Sequence, residues 1–71
     1  MATNPNAHWE EDLAFSIEEW SRDDRRLLEV IARVSLLSVA HSAFWAACAA
    51  RPSANIVMRQ KAHVLKERRL G

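Results

Sequence analysis

Apolar and polar positions along this chain follow two different periods. Residues 34–50, VSLLSVAHSAFWAACAA, carry no charge and are closed by Arg33 on one side and Arg51-Pro52 on the other. Placed at about 100° per residue, Leu36, Leu37, Val39, Ala40, Ala43, Phe44, Ala47, Cys48 and Ala50 share one broad side, which predicts a helix over about 35–50 with that side toward a core. The alanines favour helix, Ser35 stands where an N-cap would, and Pro52 disfavours helical geometry in the residue before it and so ends the helix near Ala50. Ser38, Ser42, Trp45 and Ala49 fall on the other side. The largest side chain of the helix therefore sits among its most polar positions, where an isolated core helix would not put it.

The flanks alternate with a period nearer two. Leu13, Phe15 and Ile17 interleave with Ala14, Ser16 and Glu18, the pattern of a strand over 13–20 with one buried face. Residues 26–34 fit both periods: Leu28, Val30, Ala32 and Val34 alternate as a strand, while Leu27, Leu28, Ile31 and Val34 make a helical stripe. The β-branched residues favour the strand. Ser21-Arg22-Asp23-Asp24 between the two segments reads either as a helix cap or as a tight turn. Past the central helix, 51–55 is turn-forming, and Ile56-Val57-Met58-Arg59 and His63-Val64-Leu65-Lys66 are two β-rich runs joined by Gln60-Lys61-Ala62. A basic helix over 53–69 competes with that hairpin. The pattern thus predicts an α+β fold, β-β-α-β-β, with one helix packed on an antiparallel sheet; the alternative is an all-α three-helix arrangement.

At 71 residues the chain reads as a single small domain, 1–71, with the polar residues 1–10 as a flexible tail. A domain of this size buries only about 60% of its unfolded surface. One cysteine makes no internal disulfide, so self-association is a physically motivated way to add stability. That lone cysteine, together with a start lacking basic and apolar signal regions, points to the cytoplasm. The uncharged run is at the short limit of the roughly 17–25 residues that cross a bilayer, and three serines and His41 interrupt it, so no membrane partner is expected.

Charge adds an asymmetry. Residues 1–50 sum to −4 and residues 51–71 to +5. Acidic and basic segments that meet in the fold or across a dimer explain this, and a basic nucleic-acid surface made of Arg51, Arg59, Lys61, Lys66, Arg68 and Arg69 is the alternative. Against the latter, no aromatic is interleaved with those cations to stack on bases.

Chemistry is otherwise thin. His41 beside Ser38 and Ser42 lacks an orienting group and oxyanion donors. His41 and Cys48 stand two helical turns apart, too far to share one metal ion, and Cys48 suits packing. The only glycine is the last residue, which leaves no phosphate loop. No catalytic residue, metal or cofactor is therefore expected, and the chain does not read as an enzyme. Tryptophans at positions that ought to be wet commonly mark contact surfaces. Trp45 with Ser38, Ser42 and Ala49, and Trp20 on the far side of the first strand, are accordingly the candidate contacts of a protein-interaction or regulatory module, a second copy of the chain being one partner.

Overall fold

The computed structural model describes residues 14–70. Its elements run β1 (Phe15–Trp20), β2 (Leu27–Val34), α1 (Leu37–Ala50), β3 (Asn55–Gln60) and β4 (His63–Arg68). The strands form one antiparallel sheet in the order β2-β1-β3-β4, and α1 packs across β1, β2 and β3. The architecture is α+β. Residues 27–34, 55–60 and 63–68 are strands, and the helical readings of 26–34 and 53–69 give way to pairing with β1 and β3. The expected tail, Trp9 and Leu13 lie outside the described residues.

Alternation in β1 decides what each face of the sheet carries. Ile17 is fully buried with Phe15 packed beside it, and across the ladder they meet Ala32, Val34 and Met58 on the helix side. Ile56 and Met58 of β3 close the same core against Ala40, Phe44, Ala47 and Cys48 of α1. On the opposite face, which the helix leaves open, the central strand β3 still buries Val57 and Asn55 among side chains of its neighbours. Asn55 makes that tolerable by donating from Nδ2 to the Ser21 carbonyl at 3.0 Å and accepting the Leu70 amide on Oδ1 at 2.8 Å.

Residues 21–24 form a turn rather than a helix cap. The buried Ser21 hydroxyl accepts from the amides of Arg25 (3.2 Å) and Arg26 (3.0 Å) and donates to Asp23 Oδ1 at 2.5 Å. That hydroxyl, and after it the Arg25 amide, hold the Asp23 carboxyl below its ordinary value of 3.8. Asp24 takes the left-handed conformation (φ 67°), which Asp accepts more readily than most residues.

Three sequence expectations need correction. The even positions of β2 do not share a face: the register with β1 shifts between Ala32 and Val30 and again between Glu29 and Leu27, leaving Ile31 and Leu28 as extra residues. Each bulge reverses the phase, so Ala32 and Val34 face the helix while Val30 stands opposite Glu18. Ser35 is not the cap; Leu36 holds that position, with no side-chain hydrogen bond, and the Ala40 amide bonds to its carbonyl at 2.9 Å. The helix also buries a narrower stripe than its apolar side, since Leu36, Leu37, Val39 and Ala50 are exposed. One sheet beneath a helix contacts only the residues centred on Ala40, Phe44 and Ala47; Val39 and Ala50 lie about a quarter turn away. Among the described residues no helix is long and apolar enough to cross a membrane.

Lys61 occupies the left-handed region (φ 53°) in the two-residue connection between Gln60 and His63. A side chain there costs about 1 kcal/mol that glycine avoids. Lys61→Gly is expected to raise stability by about 0.5–1 kcal/mol, read as a higher urea midpoint at unchanged slope. A lower midpoint would mean that contacts made by the lysine outweigh the backbone relief.

Candidate interaction surface

α1 carries no charged residue along its whole length, including the side that faces away from the sheet. Surface helices of globular domains ordinarily set charged and polar residues there. Here the outward positions are Ser38, Val39, Ser42, Trp45, Ala46, Ala49 and Ala50, all exposed. Ser38, Ser42, Trp45 and Ala49 succeed one another at intervals of four, three and four residues, so they line a single seam directed away from the sheet. The structure brings these four together as the sequence pattern implied.

Trp45 stands out of that seam 59% exposed, yet it is held. The buried Phe44 ring meets it edge to face, with centroids 5.1 Å apart and planes at 82°. Lys66 of β4 brings its ammonium to 5.0 Å from the Trp45 centroid and 5.6 Å from that of Phe44. Met58 pairs with Lys66 in the sheet, which turns the lysine toward the helix. Nothing in the local sequence around Lys66 signals this contact, because the register of β4 on β3 produces it. An indole fixed before contact loses little freedom on binding, the condition under which a tryptophan contributes most. Leu36 and Val39, with Arg33, Val34 and Ser35, line an open recess of about 310 Å³ at the start of the helix.

Trp20 does not belong to this surface. It pairs with Asn55 and Leu27 on the face of the sheet that the helix leaves open, so the sheet stands between it and Trp45. There its Nε1–H donates to Glu18 Oε1 at 2.9 Å, and the Arg59 guanidinium lies 5.7 Å from its ring centroid. Glu18, almost wholly buried, also accepts from Arg59 Nη2 at 3.0 Å. Trp20, Asp24, Val57, Arg59, Val64 and Arg69 line a recess of about 180 Å³. This is small beside the roughly 300–1,000 Å³ of ordinary ligand pockets.

The basic residues of the second half are dispersed rather than gathered. Arg51 Nη1 bonds Glu29 and Glu19, both at 2.7 Å, and those two carboxylates raise its pKa, Glu29 more than Glu19. Arg59 is paired with Glu18, and Arg69 with Asp24 and Glu67. Arg68 donates to the carbonyls of Cys48 (3.1 Å), Arg51 (2.7 Å) and Ala54 (2.5 Å), clamping the end of α1. Lys61 lies in the β3–β4 turn, and Lys66 lies on the aromatic pair. Arg59 and Lys66, on one hairpin, project from opposite faces of the sheet. Acidic and basic halves therefore meet inside the fold, in the pairs of Arg51, Arg59 and Arg69.

His41 is half-buried, and Cys48 is a buried free thiol. Among the described residues no three His, Cys, Asp or Glu side chains come together as metal ligands would. No protein-family model matches the chain, and neither does any curated protein or solved structure searched.

Proposed function

We propose that the chain is a non-enzymatic protein-interaction or regulatory module of the reducing cytoplasm, acting through the outer face of α1 and associating with itself there. The observation that carries this reading is Trp45, an exposed indole pinned by Phe44 and Lys66 on a helix face without charge. Aromatic anchors in otherwise small, uncharged surroundings are where contact energy concentrates in protein interfaces. The nine buried apolar residues among those described make a slight core, so covering this face would also stabilise the fold.

Light scattering across a concentration series tests it. The wild-type mass is expected to rise toward that of a dimer, and Trp45→Ser is expected to weaken association at least about tenfold while leaving the circular dichroism spectrum unchanged. A wild-type chain that stays monomeric at several hundred micromolar overturns the self-association. Equal association of the variant moves the contact away from Trp45.

A further inference from the structure

We propose that two copies of the chain pack their α1 helices back to back and antiparallel, about a two-fold axis level with Ala43 and Phe44, with each Trp45 seated on the partner's Ser42. This rests on the self-association above and adds its partner surface, direction and register.

The seam reads the same in both directions. Its intervals of four, three and four residues mean that a reversed copy, centred between residues 42 and 45, aligns position for position. In that alignment Trp45 meets the partner's Ser42, and Ser38 meets the partner's Ala49. Every bulky position thus faces a small one. A parallel pair at the same level would instead set one indole against the other, with no small residue opposite to receive either. Small residues also let helix axes approach to the low end of the usual 8–10 Å. An isologous contact of this kind closes on itself at two copies.

The polar atoms of the seam are accommodated as well. Ser42 can return its hydroxyl to the Ser38 carbonyl four residues back and need not keep water, while Ser38 stands in the first turn, at the end of the contact. The partner's Ser42 oxygen remains an acceptor for the Trp45 indole N–H, which needs one once buried. With no charge on α1, closing the face takes no charged group of the helix itself out of water, and the Lys66 ammonium of β4 beside Trp45 is the one cation the contact must leave at its rim. The geometry is open to it, because the seam lies on the side of α1 away from the sheet, with Trp45 at its β4 flank, and the product is sheet, helix, helix, sheet. Of the two sheet edges, the β2 edge with Leu27, Leu28 and Val30 is interrupted by two bulges and offers no regular ladder to a second copy, and the β4 edge exposes Val64 and Leu65.

Area sets the strength. A helix of 14 residues is about 21 Å long, so each copy offers on the order of 400 Å² of this face, half the roughly 800 Å² per partner of a standard stable complex. The dimer is accordingly weak and reversible.

Directed cross-linking tests the register. In a Cys48→Ala background, Ser38→Cys and Ala49→Cys are each placed at an exposed position outside the core, so the fold is retained. Oxidation of an equimolar mixture at several hundred micromolar is expected to give a covalent dimer, whereas either variant alone gives none. Like positions in the antiparallel pair lie about 16 Å apart along the axis, far beyond the roughly 7 Å between Cα atoms that a disulfide spans. Efficient dimers from each variant alone would establish a parallel pair and overturn the proposal while leaving self-association intact. No cross-link in any sample, with a dimer still seen by light scattering, places the contact on another surface and also overturns it. A monomer by both methods removes this inference and the reading beneath it together.

Discussion

Phe44→Ala is expected to lose about 3–5 kcal/mol of stability, the cost of emptying a fully buried aromatic site. The whole domain has on the order of 4–10 kcal/mol to lose, from the usual 0.05–0.15 kcal/mol per residue. The variant should therefore stand close to its unfolding midpoint in buffer at 25 °C, which a urea titration followed by circular dichroism would show directly. Phe44 touches both parts of the molecule. One side packs with Ile17, Ile56 and Met58 in the core, and its ring also braces Trp45 and lies under the Lys66 ammonium. Phe44→Leu refills most of the space and should cost about a third as much, yet lose the edge-to-face contact. A loss below about 1 kcal/mol for the alanine variant would mean that the helix is not seated on the sheet through this ring.

Arg68→Ala is expected to cost about 2–4 kcal/mol. Its guanidinium donates to three carbonyls at the end of α1 and in the connection to β3, bonds that are charge-assisted and worth more than neutral ones. The helix has no basic residue in its own last turn, so a cation for that end comes from β4 alone among the described strands. Arg68→Lys supplies charge without the planar fork and should recover less than half of the loss. Hydrogen exchange offers a second readout, with faster exchange expected at the Arg51 and Ala54 amides that close this turn. Unchanged exchange there, together with a loss under about 0.5 kcal/mol, would show that the backbone closes without the clamp.

These two residues also show where a sequence can be read and where it cannot. Phe44 was legible: the helical period puts it on the inner side, and Pro52 marks where the helix must stop. The order of elements was legible for the same reason, since periods of two on both flanks differ plainly from the uncharged run between them. Arg68 looked like one of six surface cations. Its role depends on its pairing with Ile56, which turns it toward the helix, and that register is a long-range property no local pattern carries. The bulges of β2 were hidden for a related reason, because an extra residue is extra only relative to its partner strand. Trp20 and Trp45 were each read as outward from their own element, and each is. That the sheet lies between them, and that Glu18 and Arg59 engage the first while Phe44 and Lys66 brace the second, emerges only from the packing of the layers.

The displaced phase of β2 bears on crowding as well as on packing. Leucines and valine along an outer margin invite strangers to extend the sheet, and fibrils grow by that kind of addition. Here the backbone jogs twice within eight residues, at Ile31 and at Leu28, so an incoming strand meets amides and carbonyls out of step after every few positions. The greasy rim is thereby left open to water without becoming a template for accretion.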